Sequence, residues 1–129
     1  MLISDAKVLL VEDDPLMREF TIGMLKRLGV AQVKECVDGT AALREVTSFQ
    51  PDLVLTDVHM EPMSGLEFVK KLSRMTRSAG DRYKVIMMSA DSSRETLSEA
   101  LPLGVHAYIV KPPRLSDLKV KIEAALRDQ

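Results

Sequence analysis

A chain of 129 residues, 46 % apolar and 29 % charged, has the size and balance of one globular domain with its own core, taken as residues 1–129. A net charge of −1 leaves no electrostatic footprint for nucleic acid or an anionic membrane, so neither is expected as a partner. The single Cys36 excludes an internal disulfide and a cysteine-based zinc site; with no basic-then-apolar leader and no apolar run near ~18 residues, a cytoplasmic protein is expected.

The first predicted strand, Lys7–Val11, runs straight into "EDDP". Asp14 followed by Pro15 reads as an N-cap with proline at the first helical position. Glu12 and Asp13 are then left over, either as solvated turn residues or as ligands for a hard cation. Met17, Phe20, Met24 and Leu28 follow at helical spacings of three and four, and Gly29 ends that helix. A strand is predicted over Gln32–Cys36, and Asp38 can cap a helix carrying Ala41, Ala42, Leu43 and Val46. The third strand, Leu53–Thr56, leads to Asp57, and Ser64 can cap a helix with Leu66, Val69 and Leu72. The fourth strand, Lys84–Met88, leads to Ser89. Ser92 or Ser93 can cap the next helix, which should end near Leu101. Pro102 forces that end, because it has no N–H for the carbonyl of Ser98 and its ring crowds that carbonyl. Leu103 and Gly104 should form a loop into the fifth strand, Ala107–Val110, and Leu118, Ile122, Ala125 and Leu126 mark the last helix.

The first, third and fourth strands are continuously apolar, which predicts a parallel sheet covered by helices on both faces. Five βα units of this length imply a doubly wound α/β sandwich, whose functional crevice lies at the carboxyl ends of the strands. At that edge the sequence places Glu12, Asp13, Asp57, Ser89 and Lys111. Each has an ordinary reading alone: turn residue, helix cap or solvated lysine. Together they form a coherent set. Three carboxylates need a cation, and an all-oxygen set selects Mg²⁺ or Mn²⁺. A carboxylate beside such an ion is a competent nucleophile toward phosphorus, with Ser89 and Lys111 as donors to phosphoryl oxygens.

The motifs "VLLVEDDP", "DLVLTDVHMEPMSG", "VIMMSA" and "YIVKPP" resemble the receiver domains of two-component response regulators, especially single-domain chemotaxis-type regulators. The resemblance spans essentially the whole chain. It implies a flavodoxin-like fold of five parallel strands in the order 2-1-3-4-5 with five helices. It also implies a phosphorylation-dependent switch rather than an enzyme with a separate substrate. Asp57 corresponds to the phosphoacceptor; Asp13 to a direct Mg²⁺ ligand and Glu12 to one acting largely through water; His59 would offer its backbone carbonyl. Ser89 corresponds to the switch hydroxyl, Lys111 to the phosphate-contacting lysine, Tyr108 to the aromatic that swings inward on activation, and Pro112 to a proline that is commonly cis. His59 and Asp91, each two residues beyond a site position, would tune loss of the phosphoryl group. The implied partners are a sensor histidine kinase or histidine phosphotransfer protein, and a downstream protein on the face of helix 4, strand 5 and helix 5.

Three departures stand out: Glu61 precedes a displaced Pro62, His59 replaces a common Asn or Met, and Pro102 interrupts the fourth helix. Glu61 is expected to face solvent, and His59 to be an exposed loop residue. Cys36 and most of the methionines are expected as core filler. Two alternatives remain: an Asp-nucleophile phosphohydrolase, although His59 stands where such enzymes want a second acid, and a degenerate receiver acting only as an interaction module. A flavodoxin-like FMN protein would need a glycine- and hydroxyl-rich loop where "EDDPLM" presents carboxylates.

Overall fold

The computed structural model describes residues 1–91 and 93–127. Strand β1 (Lys7–Val11) leads to helix α1 (Pro15–Arg27), β2 (Gln32–Cys36) to α2 (Gly39–Phe49), and β3 (Leu53–Asp57) to α3 (Gly65–Leu72). Strand β4 (Val85–Ser89) leads to α4 (Arg94–Ala100), and β5 (Ala107–Val110) to α5 (Leu115–Arg127). The strands form one parallel sheet in the order β2-β1-β3-β4-β5, with Val11 opposite Thr56 and Asp57 opposite Met88. This is the order expected from the resemblance. β3 and β4 each reach one residue further than the apolar pattern suggested, so Asp57 and Ser89 are themselves strand residues. No helix among the described residues is long and apolar enough to cross a membrane.

Alternation along the strands divides the interior in two. Leu9, Val11, Val54, Val85 and Met87 face α2, α3 and α4 through Val46, Phe68, Leu72 and Ala100. Val8, Leu10, Leu55, Ile86, Met88 and Ile109 face α1 and α5 through Leu25, Leu118, Ile122 and Leu126. β1, β3 and β4 are buried almost throughout, which accounts for their unbroken apolar sequence.

Helix boundaries follow local chemistry. The Asp14 carboxylate accepts from the amides of Leu16 and Met17, with Pro15 at the first helical position. Asp38 accepts from Ala41, Ser64 from Glu67, and Ser93 from Thr96. Of the two cap candidates for α4, Ser93 is the cap; Ser92 lies outside the described residues. Gly29 ends α1 at φ +84°, where the amide of Val30 reaches back to the carbonyl of Leu25. One face differs from expectation. In α1 the buried residues are Thr21, Met24 and Leu25, whereas Phe20 is 48 % and Leu16 78 % exposed. Met24 is buried and Leu28 packs against the core as the spacing predicts, but Phe20 faces solvent and Thr21 and Leu25 take buried positions beside the predicted stripe.

Pro102 ends α4 as anticipated. The α-helix stops at Ala100, and Leu101–Leu103 form a 3₁₀ turn that Gly104 closes at φ +80°. Leu103 therefore belongs to that turn rather than to a loop. At the amino end of the sheet, Asp52 accepts from the amide of Lys7 at 2.9 Å and pairs with Arg77 at 3.1 Å, pinning the long connection from α3 to β4.

Candidate functional site

The carboxyl ends of β1, β3 and β5 bring Glu12, Asp13, Asp57 and Lys111 together, and Ser89 stands at the same edge, at the end of β4. Glu12 follows β1 directly and is fully buried, Asp13 beside it is exposed, and Asp57 is 7 % exposed at the end of β3. Ligand oxygens of Glu12, Asp13 and Asp57 all lie within 4.8 Å of one another. Unit charges so close repel by about 3 kcal/mol per pair at an effective dielectric constant of ~20.

Lys111, just past β5, answers part of that repulsion. Its Nζ lies 2.5 Å from Glu12 Oε1 and 3.1 Å from Asp57 Oδ2, with its side chain 10 % exposed. The other Asp57 oxygen accepts from the amide of Val58 at 2.7 Å. Burial pushes the carboxyl of Glu12 above its usual range, Asp57 adds to that shift, and Lys111 opposes it. One ammonium against three carboxylates leaves a negative excess, and the donors are all oxygen. These residues therefore fit a hard divalent cation, with Asp13 open to solvent and Asp57 turned toward it from the strand. Glu12, with Lys111 on one oxygen and the amide of Asp14 on the other at 3.3 Å, is committed mainly to the protein.

Ser89 is fully buried at the end of β4, its hydroxyl accepting from the amide of Asp91 at 3.0 Å. Tyr108 is half-buried against the core face of α2, α3 and α4, and its hydroxyl donates to the carbonyl of Asp91. Partial burial raises its phenol pKa, and the hydroxyl of Ser89 acts in the opposite direction. The peptide bonds Lys111–Pro112 and Glu61–Pro62 are both cis.

The side chain of His59 is 64 % exposed and sits 3.2 Å from the Asp91 carboxylate, so the two flanking residues meet. Glu61 is exposed and lies outside the acidic cluster. Cys36 is buried, and burial pushes its thiol up to about 11.

Two residues went unremarked in the sequence. A Cβ on Gly65 would stand 1.9 Å from the backbone oxygen of Asp57, so only glycine admits this turn beneath the acceptor. Its signal was the glycine right after the Ser64 cap. Thr96, in the first turn of α4, donates to the Asp91 carboxylate at 2.7 Å.

A doubly wound sheet with an acidic pocket, a buried hydroxyl and a lysine at its carboxyl edge defines a phosphate-handling α/β domain. The model of the response regulator receiver domain matches residues 8–123, and the chain belongs to that family. The chemotaxis protein CheY of Pseudomonas aeruginosa is 35 % identical over 120 residues, covering 91 % of this chain and 93 % of the relative. The crystallised chemotaxis protein CheY4 of Vibrio cholerae superposes with a TM-score of 0.85 at 28 % identity, over 95 % of this chain and 99 % of that one. The receiver domain of the histidine kinase CKI1 from Arabidopsis thaliana, solved with Mg²⁺ and BeF₃⁻, superposes at 0.84 with 28 % identity, covering 96 % and 91 %.

Proposed function

We propose that this receiver domain is a phosphorylation-dependent signalling switch that takes a phosphoryl group on Asp57. The observation that carries the reading is the setting of that carboxylate. One oxygen is held by the amide of Val58 and the other by Lys111, beside the carboxylates of Glu12 and Asp13. The Mg²⁺ and BeF₃⁻ bound to the CKI1 receiver domain support the same chemistry here.

The donor class is a phosphohistidine on a sensor kinase or phosphotransfer protein. A carboxylate oxygen of Asp57 forms the new bond to phosphorus while the donor's P–N bond breaks, its electron pair staying on the imidazole. Asp13 and Asp57, with Glu12 behind them and the carbonyl of His59 beside them, would hold Mg²⁺, which when bound neutralises charge on the transferring oxygens. Lys111 contributes a fixed positive charge already within 3.1 Å of the acceptor. Ser89 is the hydroxyl available to a phosphoryl oxygen. Any shift of Ser89 is felt by Asp91, whose amide donates to it, and by Tyr108, whose hydroxyl is held by the Asp91 carbonyl. The output is a changed protein-binding surface on α4, β5 and α5, and the bias between states equals the difference in phosphoryl contacts between them. The chemotaxis relatives suggest a single-domain messenger in the cytoplasm.

Intact-mass measurement after incubation with acetyl phosphate and Mg²⁺ tests the reading. One phosphoryl group per chain, lost in Asp57→Asn and in EDTA, is the expected result. An unchanged mass would leave the interaction-only module, and sustained turnover of a phosphomonoester would favour the phosphohydrolase.

A further inference from the structure

Thr96 touches neither Asp57 nor Lys111, yet its hydroxyl donates to the same oxygen of Asp91 that contacts His59, at 2.7 Å against 3.2 Å. The other Asp91 oxygen accepts from the amide of Ser93 at 2.8 Å, and the hydroxyls of Ser93 and Thr96 lie 3.0 Å apart. One carboxylate therefore joins the loop after the acceptor to the first turn of α4. These bonds hold Asp91 ionised, well below the usual carboxylate range, with Thr96 the largest contributor. Thr96 is 8 % exposed, so its hydroxyl has little access to water as a substitute partner.

We infer that Thr96 is a positioning residue for the phosphoacceptor site, acting through the carboxylate of Asp91 to fix His59, two residues beyond Asp57. The inference rests on the acceptor reading of Asp57, and deepens it by making the lifetime of the phosphoryl group depend on α4. Hydrolysis requires a water oxygen to attack phosphorus as the bond to the Asp57 oxygen breaks. The electron pair returns to the carboxylate, and phosphate leaves with the water's hydroxyl, the second proton passing to solvent. His59 fastened to Asp91 narrows the path of that water between the β3–α3 and β4–α4 loops. Without Thr96 the Asp91 carboxylate is free to turn, and His59 loses its fixed partner. Coupling also runs the other way: a displacement of His59 on phosphorylation is transmitted to the first turn of α4, next to the surface that signals.

The test is a comparison of phosphoryl half-lives after loading with acetyl phosphate and Mg²⁺, read by intact mass. Thr96→Val keeps the shape and removes the hydroxyl. It is expected to shorten the half-life about threefold, a change at the low end of the net worth of one hydrogen bond. Thr96→Ser should restore the wild-type value. His59→Ala should shorten it similarly, and the His59→Ala/Thr96→Val double variant should be no faster than the faster single, because both act through one carboxylate. A wild-type half-life in Thr96→Val, or multiplying effects in the double variant, overturns the inference while leaving Asp57 as acceptor. If the wild-type protein takes up no phosphoryl group, the acceptor reading fails, and the claim about lifetime with it. The positional link has its own measurement in the unphosphorylated protein: Thr96→Val should shift the ring resonances of His59, and unmoved resonances would refute that link.

Discussion

The ammonium of Lys111 lies closer to Glu12 than to Asp57, 2.5 Å against 3.1 Å, although Glu12 is the residue not expected to take the phosphoryl group. A buried carboxylate beside one buried ammonium is a pair whose partners cannot be removed singly without cost. Lys111→Met should lower the unfolding free energy by about 3 kcal/mol in urea titrations, because it strands Glu12. Glu12→Gln combined with Lys111→Met should recover much of that loss. A double variant as unstable as the sum of both singles would show that the pair is not what stabilises this corner.

Asp13 and Asp14 are neighbours with separate tasks. The exposed Asp13 belongs to the acidic cluster, while Asp14 caps α1. Asp13→Ala should abolish Mg²⁺-induced shifts of amide resonances around Asp57 and block phosphorylation. Asp14→Ala should retain both and cost about 1 kcal/mol of stability as a lost N-cap. Equal metal affinities in the two variants would remove Asp13 from the ligand set.

Gly65 and Gly23 offer a paired comparison. A methyl at Gly65 collides with the acceptor's own backbone, whereas at Gly23, inside α1, it meets nothing within 4 Å. Gly65→Ala is expected to destabilise by about 1–3 kcal/mol through overpacking, and to slow phosphorylation more than its stability loss explains. Gly23→Ala should stabilise by about 0.5–1 kcal/mol and leave phosphorylation unchanged.

The Cys36 thiol, buried at the end of β2, titrates near 11 rather than 9.0, chiefly because burial opposes the thiolate. A raised folded-state value stabilises the fold below the unfolded thiol's pKa, and that contribution is lost as pH rises from about 9 through 11. Iodoacetamide should accordingly modify the native protein far more slowly at pH 8 than the urea-unfolded chain. Cys36→Ala should flatten the stability loss across that alkaline window.

Much of this was legible in the chain because the signals were local and redundant. The caps at Asp14, Asp38 and Ser64 and the terminator Pro102 each act within four residues, and the apolar runs of β1, β3 and β4 report burial on both faces. Strand ends carry chemistry in a doubly wound sheet, so Glu12, Asp13, Asp57, Ser89 and Lys111 could be grouped before any coordinates. Helix rotation was less accessible. Phe20 and Thr21 flank the same stripe, and only the packing of α1 against the rest of the core decides which of them is buried. The Thr96–Asp91–His59 connection was hidden for a related reason. His59 and Asp91 are 32 positions apart, and nothing in the sequence pairs them with each other or with Thr96.

Strand β5 lies at the rim of the sheet and has a ladder on one side only, to β4, whereas β3 is bonded to neighbours on both sides. The residue proposed to receive the signal thus stands on an interior strand, paired on both sides. Tyr108, proposed to respond, lies on a strand with half as many hydrogen-bonded partners, and Lys111 follows directly after it. Displacing β5 breaks one seam and leaves the other three pairings intact. The sheet is therefore graded from its interior strands to its rims, and native-state amide exchange should follow the same gradient, slower in β3 than in β5.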